Sequence, residues 1–476
     1  MTKSLKKNYF FNTAYQLLTI IIPFITMPYV SRVLLPEGIG VYSFTSSIIS
    51  YFVLFAVLGT NTYGQREISY LQDNREERTT VFWNIVTLRL ISSSILLASY
   101  LVFVWTQNDY RVIYLVLSLN LINVALDVTW LLQGVEDFQV VAIRNCIIKI
   151  LFTVFIFVFV KQADDLWIYA LGLGGSTLVG SISLWFSVPK LVDRPRLKKI
   201  RPLFDIKTVL SLFIPTIAGS IYTMLDKTMI GLLTSDMNQN GYYEQAMKIS
   251  KMALMVVTSL GAVMVPRIGH LFAHGALEEL KQYMYKSYRF VWLLGIPLCL
   301  GLVSVSRSFV PWFFGEDFLP VIPILQVSSF LILAIGINNV TGIQYLIPTK
   351  RQNLFSITVL VGAGLNFILN LILIPKYQAV GAAISSVAAE TVIAIAQLLL
   401  VRKELSIKQI AKSSNKYLIS GLLMLLIVGI IGSFLPPTPL NTVLLIVIGA
   451  GCYFAILVVM KDPFLLENLK RKKVSS

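Results

Sequence analysis

The sequence is poor in charged residues, in cysteine and in histidine. Only 13% of its residues are charged, against about 25% in an average soluble domain. Cys146, Cys299 and Cys452 form no C-x-x-C pair, so neither a disulfide framework nor a zinc site is expected. His270 and His274 alone are too few for a metal site. No P-loop or Ser-His-Asp pattern is present, so we expect no enzyme activity, no metal and no cofactor.

Long uncharged stretches take the place of these residues. A helix needs roughly 20 apolar residues to cross a bilayer core. Several stretches without any charged residue exceed that length, among them residues 8–31, 38–65, 318–349 and 417–460. The pattern predicts an all-α polytopic membrane protein with about fourteen transmembrane helices, at residues 9–31, 39–62, 79–104, 112–133, 141–160, 166–189, 207–232, 242–265, 287–308, 319–346, 354–374, 379–401, 416–435 and 440–460.

The net charge of +16 raises the question of nucleic-acid binding, but the placement of the charges argues against it. Lysine and arginine are concentrated in alternate connections between the predicted helices, which is the positive-inside pattern. The basic clusters are Lys3, Lys6 and Lys7, then residues 190–207, 267–289, 402–416 and 461–473. They predict a multi-pass protein with both termini in the cytoplasm and basic loops that contact membrane lipids.

A weak internal repeat indicates two related halves. Pro23 and Gly40 in the first pair of helices have counterparts in Pro215 and Gly241, about 200 residues later. Parallel repeats with a substrate cavity between them are a known transporter plan. We therefore predict two six-helix lobes around a central cavity, followed by two further helices: an N-terminal lobe (1–202), a C-terminal lobe (203–412), and helices 13 and 14 with a basic cytoplasmic tail (413–476).

Ionisable groups inside the predicted helices are the candidate functional residues, because charges at bilayer depth are costly and usually face a cavity or a partner. The bases outnumber the acids, which favours a cavity that stabilises an anion such as a phosphate. The fourth helix adds a polar face of asparagine, aspartate and tryptophan. The predicted substrate-binding residues are Arg32, Arg89, Asn120, Asn123, Asp127, Trp130, Lys149, Lys227, Lys248 and Lys251.

Structural roles remain open for several of these groups. Glu244 and Lys248 are spaced to pair with each other at i,i+4. Lys248 and Lys251 are also placed where they can extend to the membrane surface. Asp127 in the first half and Glu390 in the second are predicted to serve coupling or gating, since a change in the ionisation of either can bias two conformations. Each is also suited to a purely structural pairing, and the sequence leaves the coupling ion, H⁺ or Na⁺, undetermined.

Five segments of the chain carry a family resemblance. They are Gly40–Phe52, Asp127–Phe138, Leu225–Gly231, Gly241–Ala246 and Asn366–Glu390. Together they resemble bacterial polysaccharide repeat-unit flippases of the Wzx type, and the similarity extends over roughly residues 8–405. The resemblance implies membership of the multidrug/oligosaccharidyl-lipid/polysaccharide (MOP) exporter superfamily, in which two lobes enclose a cavity with alternating access.

The resemblance also implies a substrate. Flippases of this type move undecaprenyl-pyrophosphate-linked oligosaccharide across the bacterial cytoplasmic membrane, for capsule or O-antigen synthesis. A polysaccharide polymerase and a chain-length regulator are the expected protein partners, and no nucleic acid is expected. Such a carrier needs basic groups for the pyrophosphate and polar or aromatic side chains for the sugars.

Three other functions fit less well. A lipid II or teichoic-acid precursor flippase of the same superfamily differs only in the glycan that it carries. A cation-coupled multidrug exporter often has an acidic residue in its first helix, whereas residues 8–35 contain no aspartate or glutamate. A membrane polymerase or glycosyltransferase normally needs a large outer loop or an acidic metal motif, and the predicted outer loops are mostly too short.

Overall fold

The computed structural model describes the backbone of residues 5–196, 198 and 200–466, and the side chains within these ranges except at 5–17, 20, 214–216 and 218–223. The predicted basic residues Lys3, Lys6 and Lys7, and those after residue 466, lie outside the described side chains. The helices are α1 (Leu5–Val57), α2 (Thr60–Tyr70), α3 (Arg75–Thr106), α4 (Arg111–Leu117), α5 (Leu119–Leu126), α6 (Thr129–Gly134), α7 (Phe138–Phe159), α8 (Leu166–Leu184), α9 (Val188–Leu191), α10 (Ile206–Thr234), α11 (Met237–Thr258), α12 (Gly261–Ala273), α13 (Leu277–Phe314), α14 (Val321–Ser328), α15 (Leu331–Asn338), α16 (Gln352–Leu400), α17 (Ile407–Phe434) and α18 (Pro439–Val459).

The described part of the chain contains no β-strand, and one or more of its helices occupy each predicted span. Among the described residues, eleven helical segments are long and apolar enough to cross a membrane. The segment 352–400 holds two predicted spans, the segment 21–70 holds the second span and the end of the first, and α10 coincides with the seventh. Short 3₁₀ turns stand at Ala163–Asp165 and Glu316–Phe318, and a π-helix follows α15 at Asn339–Leu346. The prediction of an all-α polytopic membrane protein is confirmed.

The two longest helices each contain a sharp turn where the sequence predicts a short connection. In α1 the backbone leaves helical geometry at Leu35 (φ 58°), directly before Pro36. In α16 it does so at Gln378 (φ 52°). A positive φ is unfavourable for side chains other than glycine. The predicted pairs of spans are therefore separate helices joined by strained corners.

The chain divides into two compact units. The first comprises residues 1–231 and 236–241, and the second comprises 232–235 and 242–476. Helix α10 was predicted to belong to the C-terminal lobe. Its residues up to Gly231 belong to the first unit. The predicted division at 1–202, 203–412 and 413–476 stays a prediction, because compactness does not define which helices move together.

Each unit has its own apolar core. In the first unit, Trp130 packs with Phe82 at the centre of one cluster, and Tyr100 and Leu121 belong to another. In the second unit, Met284 and Tyr288 of α13 lie in a cluster that includes residues of the π-helix. Large apolar side chains elsewhere are exposed on many helices, as expected for surfaces that face lipid.

Two glycines allow a close helix contact inside the first unit. A Cβ atom added at Gly40 would lie 1.7 Å from the carbonyl oxygen of Met237, and one at Gly241 would lie 2.1 Å from that of Pro36. We expect Gly40→Ala to destabilise the protein by about 1–3 kcal/mol, the usual cost of overpacking. Thermal unfolding of the purified protein measures this. Gly175→Ala is the matched control, since a Cβ there meets nothing within 4 Å, and an equal loss in both variants would contradict the steric argument.

Candidate functional site

The fourth predicted span is broken at Asp127. The sequence predicts one helix over residues 112–133, and the structure has three, with Asp127 in extended geometry (φ −74°, ψ 115°) between α5 and α6. The Asp127 carboxylate accepts hydrogen bonds from the backbone N–H of Thr129 (3.1 Å) and from its hydroxyl. Aspartate competes with helix formation through such local bonds. The prediction of a continuous polar face along this span is therefore wrong at Asp127.

The backbone carbonyls freed by this break are bound by side chains from other helices. The carbonyl of Leu126 accepts from the indole N–H of Trp185 at 2.8 Å. The carbonyl of Asp127 accepts from Arg89 at 2.6 Å and from the indole N–H of Trp130 at 3.1 Å. Non-helical backbone at membrane depth is tolerated where protein groups satisfy it in this way.

Arg89 is the centre of this arrangement. Its side chain is 1% exposed, and it donates to Thr60 at 2.7 Å and to Asn61 of α2. Its guanidinium lies 3.7 Å from the Asp127 carboxylate and 5.8 Å from the ring centroid of Trp130. Three helical segments thus meet on one buried cation. Arg89 contacts protein groups rather than an open cavity, and a role for it in substrate binding stays a prediction.

The other predicted residues of this span have different environments. Trp130 is 1% exposed and lies in the core, so it does not line an open surface in this structure. Asn120 is half-buried and donates to the carbonyl of Leu117 at 3.0 Å. The side-chain oxygen of Asn123 is buried and has no hydrogen-bond partner in the part of the chain that the structure describes. Among Asn120, Asn123 and Trp130, Asn123 therefore has a side-chain oxygen available to accept a hydrogen bond.

The remaining predicted bases are more accessible than Arg89. Arg32 and Lys251 are exposed, and Lys227 is half-buried. Lys149 of α7 is half-buried and donates to Thr19 of α1 at 2.9 Å. In the second unit Lys248 pairs with Glu244 at 3.3 Å, as the i,i+4 spacing allowed. The predicted ion pair is present, and Lys248 stays accessible because its side chain is 36% exposed; a role for it in substrate binding stays a prediction.

Glu390 is the predicted coupling residue of the second unit. It is half-buried on α16, and its carboxylate accepts a hydrogen bond from the amide of Asn338. The same amide nitrogen lies 3.2 Å from the Glu390 carbonyl oxygen. Asn338 ends α15 and directly precedes the π-helix. Because π-helical turns are rare and occur often at functional sites, this contact places Glu390 at an irregular and specialised part of the unit.

The polar face of α16 continues toward the end of the helix. Gln397 is fully buried and donates to Thr358 at 3.1 Å, so this face is inside the protein. Just beyond the helix, Glu404 accepts a bidentate pair of bonds from Arg351, at 2.7 and 2.8 Å. Partial burial alone would raise the pKa of Glu404, but the bonds from Arg351 and Tyr345 outweigh it and lower that pKa.

Several residues of these sites carry no charge and were not predicted. Thr60 and Asn61 bind Arg89, and Asn338 binds Glu390. A search for charged residues inside apolar spans passes over amides and hydroxyls. One sequence pattern could have predicted the helix break: Asp127 is followed two residues later by Thr129, and such residues are typical of a helix start even within an apolar stretch. Among the described residues no group of three or more His, Cys, Asp or Glu side chains is placed to hold a metal ion.

The chain is a membrane protein of the polysaccharide-synthesis class, as its sequence match shows. It belongs to the polysaccharide biosynthesis protein family (Polysacc_synt), whose profile matches residues 5–272. A curated relative, the "Putative O-antigen transporter" of Escherichia coli (strain K12), is 24% identical over 410 residues, which cover 84% of this chain and 97% of the relative.

Solved structures share the fold. The lipid II flippase MurJ in an inward closed conformation aligns with a TM-score of 0.71 and 16% identity, over 94% of this chain and 98% of that one. An inward-facing multidrug resistance MATE family transporter of the MOP superfamily aligns with a TM-score of 0.59 and 14% identity, over 83% of this chain and 99% of that one. At these identities the likeness establishes only the fold, which the chain shares with these two transporters.

Proposed function

We propose that this protein is a flippase for undecaprenyl-pyrophosphate-linked oligosaccharide repeat units, working by alternating access in the bacterial cytoplasmic membrane for capsule or O-antigen synthesis. The observation that carries the proposal is the presence of a largely buried polar site in each unit, at Arg89–Asp127 and at Asn338–Glu390, within segments long enough to cross a bilayer. Placing ionisable groups at bilayer depth costs free energy, so such sites usually serve a function such as transport. The family membership and the O-antigen relative support the class of substrate.

The physical need for such a carrier follows from the chemistry of the substrate. The polyprenyl tail is soluble in the bilayer, but the sugars and the charged pyrophosphate are strongly excluded from it. A protein that lowers this barrier must offer polar and cationic groups along the route. The accessible bases Arg32, Lys149, Lys227, Lys248 and Lys251 are our proposed contacts for the pyrophosphate, with Asn120 and Asn123 as contacts for sugar hydroxyls.

Asp127 and Glu390 are our proposed coupling residues. Asp127 lies at a helix break, and Glu390, on α16, binds Asn338 at the start of the π-helix. Discontinuous helices commonly hold the substrate and coupling-ion sites of secondary transporters. A carboxylate at such a point can take up a proton or a cation and so favour one conformation over another.

The test is deletion of the gene followed by analysis of the lipid-linked glycans. We expect undecaprenyl-linked repeat units of a surface polysaccharide to accumulate and the polymer to disappear, with restoration by the wild-type gene. Accumulation of lipid II instead would assign the protein to peptidoglycan synthesis and contradict the proposal. Unchanged glycans together with increased drug sensitivity would indicate a multidrug exporter. Co-purification with a polysaccharide polymerase or a chain-length regulator would identify the proposed partners.

The proposed topology has its own test. The lysine and arginine bias predicts both termini in the cytoplasm, because basic connections remain on that side. Reporter fusions after Gln162 and Thr438, which lie in short connections of the structure, should read outside. Fusions after Arg196 and Ser475 should read inside. Reversed signals at any two of these four sites would overturn the assignment.

A further inference from the structure

A polar cavity of about 270 Å³ lies in the first unit, where α3 begins and the segment after α9 passes over it. Five of its lining side chains are charged: Arg75, Arg194 and Arg196 against Glu76 and Asp193. The space equals roughly nine water molecules at about 30 Å³ each, which suits a small headgroup rather than a single ion. This cavity has no part in the transport site described above.

The two carboxylates of the cavity are already paired. Arg75 binds Asp193 at 2.9 Å, and Arg196 binds Glu76 at 2.8 Å. Arg194 is exposed and has no ion-pair partner among the residues that the structure describes. An arginine carries five N–H donors, and the bond from Arg196 to Glu76 uses only one nitrogen of its guanidinium. The cavity therefore has a net positive charge and arginine N–H groups that are free to donate further hydrogen bonds. Phosphate groups bind to arginines of this kind.

The cavity is held in shape by bonds that do not involve these donors. The indole N–H of Trp83, which lines the cavity, donates to the carbonyl of Asp193 at 2.9 Å. Buried Arg78 fixes the segment after α9 through two bonds to the carbonyl of Leu191, at 3.0 and 2.8 Å. The backbone N–H of Arg201 donates to Asn84 at 2.7 Å. Because the walls are already supported, a ligand does not have to order them on binding.

Exposed apolar side chains next to the cavity indicate where its ligand comes from. Phe204 is 78% exposed and Leu203 is 64% exposed, directly after the segment that covers the cavity. Phe186 is 82% exposed and follows Trp185, whose ring centroid is 6.3 Å from that of the cavity residue Trp83. Aromatic and apolar side chains beside basic groups are typical of the boundary between headgroups and acyl chains. A phosphate dissolved in water would not need exposed apolar side chains beside its binding site.

We propose that this cavity binds the phosphate of an anionic phospholipid headgroup, with Arg194 and Arg196 as its principal contacts. The phosphodiester oxygens accept from the two guanidinium groups, and the acyl chains lie along the exposed side chains of Phe186, Leu203 and Phe204. The proposal concerns a bound membrane lipid and does not depend on which glycan the protein transports. It differs from general attraction between a basic surface and an acidic membrane, because it assigns one lipid to one cavity.

Native mass spectrometry of the purified full-length protein tests this assignment. Phosphatidylglycerol, phosphatidylcholine and inorganic phosphate are added separately, and the fraction of protein with one bound lipid is measured. We expect retention of phosphatidylglycerol over phosphatidylcholine. Arg194→Gln and Arg196→Gln should each lower phosphatidylglycerol affinity about 10- to 100-fold, because each removes charged hydrogen bonds to the phosphate. Lys198→Gln is the matched control: Lys198 is exposed in the same segment but does not line the cavity, so its loss should change affinity by no more than about fivefold, the effect of diffuse attraction.

Each contrary outcome is informative. Equal losses in the control and in the two arginine variants would show a diffuse surface field and overturn the cavity assignment. Equal binding of the two lipids would exclude recognition of an anionic headgroup. Displacement of phosphatidylglycerol by excess inorganic phosphate would identify a soluble phosphate ester as the ligand and overturn the lipid assignment. Thermal unfolding of each variant, expected to match the wild type, shows that the fold is retained.

Discussion

Replacing Arg89 with alanine is expected to destabilise the first unit by about 3–5 kcal/mol, the usual effect of removing one partner of a buried ion pair. The change leaves the Asp127 carboxylate without its nearby cation and deprives the Asp127 carbonyl, Thr60 and Asn61 of a donor. Since a folded domain is stable by only about 5–15 kcal/mol, most of the variant should fail to accumulate as folded protein. Size-exclusion profiles and thermal unfolding of the purified variant measure this.

Two further variants separate this structural role from substrate binding. Arg89→Lys keeps the charge but has fewer donors in a different geometry, so we expect a smaller loss of stability. Arg32→Ala removes an exposed arginine from the same unit and should leave the unfolding temperature unchanged. If Arg89→Ala instead unfolds like the wild type and loses export completely, Arg89 is a substrate contact and the structural role is wrong.

Replacing Glu390 with glutamine should stop or slow translocation while substrate binding persists. Glutamine retains a carbonyl oxygen that can accept the bond from Asn338, so the variant removes the ionisable group while keeping this bond. If ionisation of Glu390 biases two conformations, we expect a slowing of about 5- to 150-fold, the range of a coupling free energy of 1–3 kcal/mol. A reconstituted flipping assay beside a lipid-linked oligosaccharide binding assay measures the two effects separately.

Asp127→Asn is the companion variant, and its interpretation requires a stability measurement. Asparagine can still accept the bond from the Thr129 N–H, but it removes the negative charge opposite Arg89. A slower flipping rate is therefore meaningful only if the unfolding temperature is kept. Asn338→Leu serves as the control in the second unit, because it removes the donor to Glu390 without changing any charge. Joint loss of binding and translocation in Glu390→Gln would refute the gating role.

The positions of the spans were predictable because hydropathy alone determines them. Each of the predicted stretches needs only enough apolar residues to cross the bilayer, and that property is local in sequence. The pairing of Lys248 with Glu244 was also local, since residues four apart meet on one helical face. Even the corners at Leu35 and Gln378 fall where short connections were expected.

What depends on distant residues was not predictable from one sequence. Arg89 was expected to line a cavity because bases outnumber acids inside the predicted helices. Its partners in α2 stand 28 and 29 residues away and carry no charge, so no charge pattern identifies them. Trp130 was predicted to bind sugar because of its residue type. In the structure its ring packs against α2 at Gly64, where a side chain would collide with it, and it therefore lies in the core.

The helix break at Asp127 also constrains how the chain is assembled during synthesis. The carbonyl of Leu126 is bound by Trp185, which is made 59 residues later. At about 5–20 residues per second, that interval lasts about 3–12 s. The fourth span is divided into helices of 7, 8 and 6 residues. Until Trp185 is made, the Leu126 carbonyl lacks this hydrogen bond, and a span with an unsatisfied carbonyl is not stable in contact with lipid. The insertion machinery, or water within it, must shelter this span until the sixth has entered the membrane.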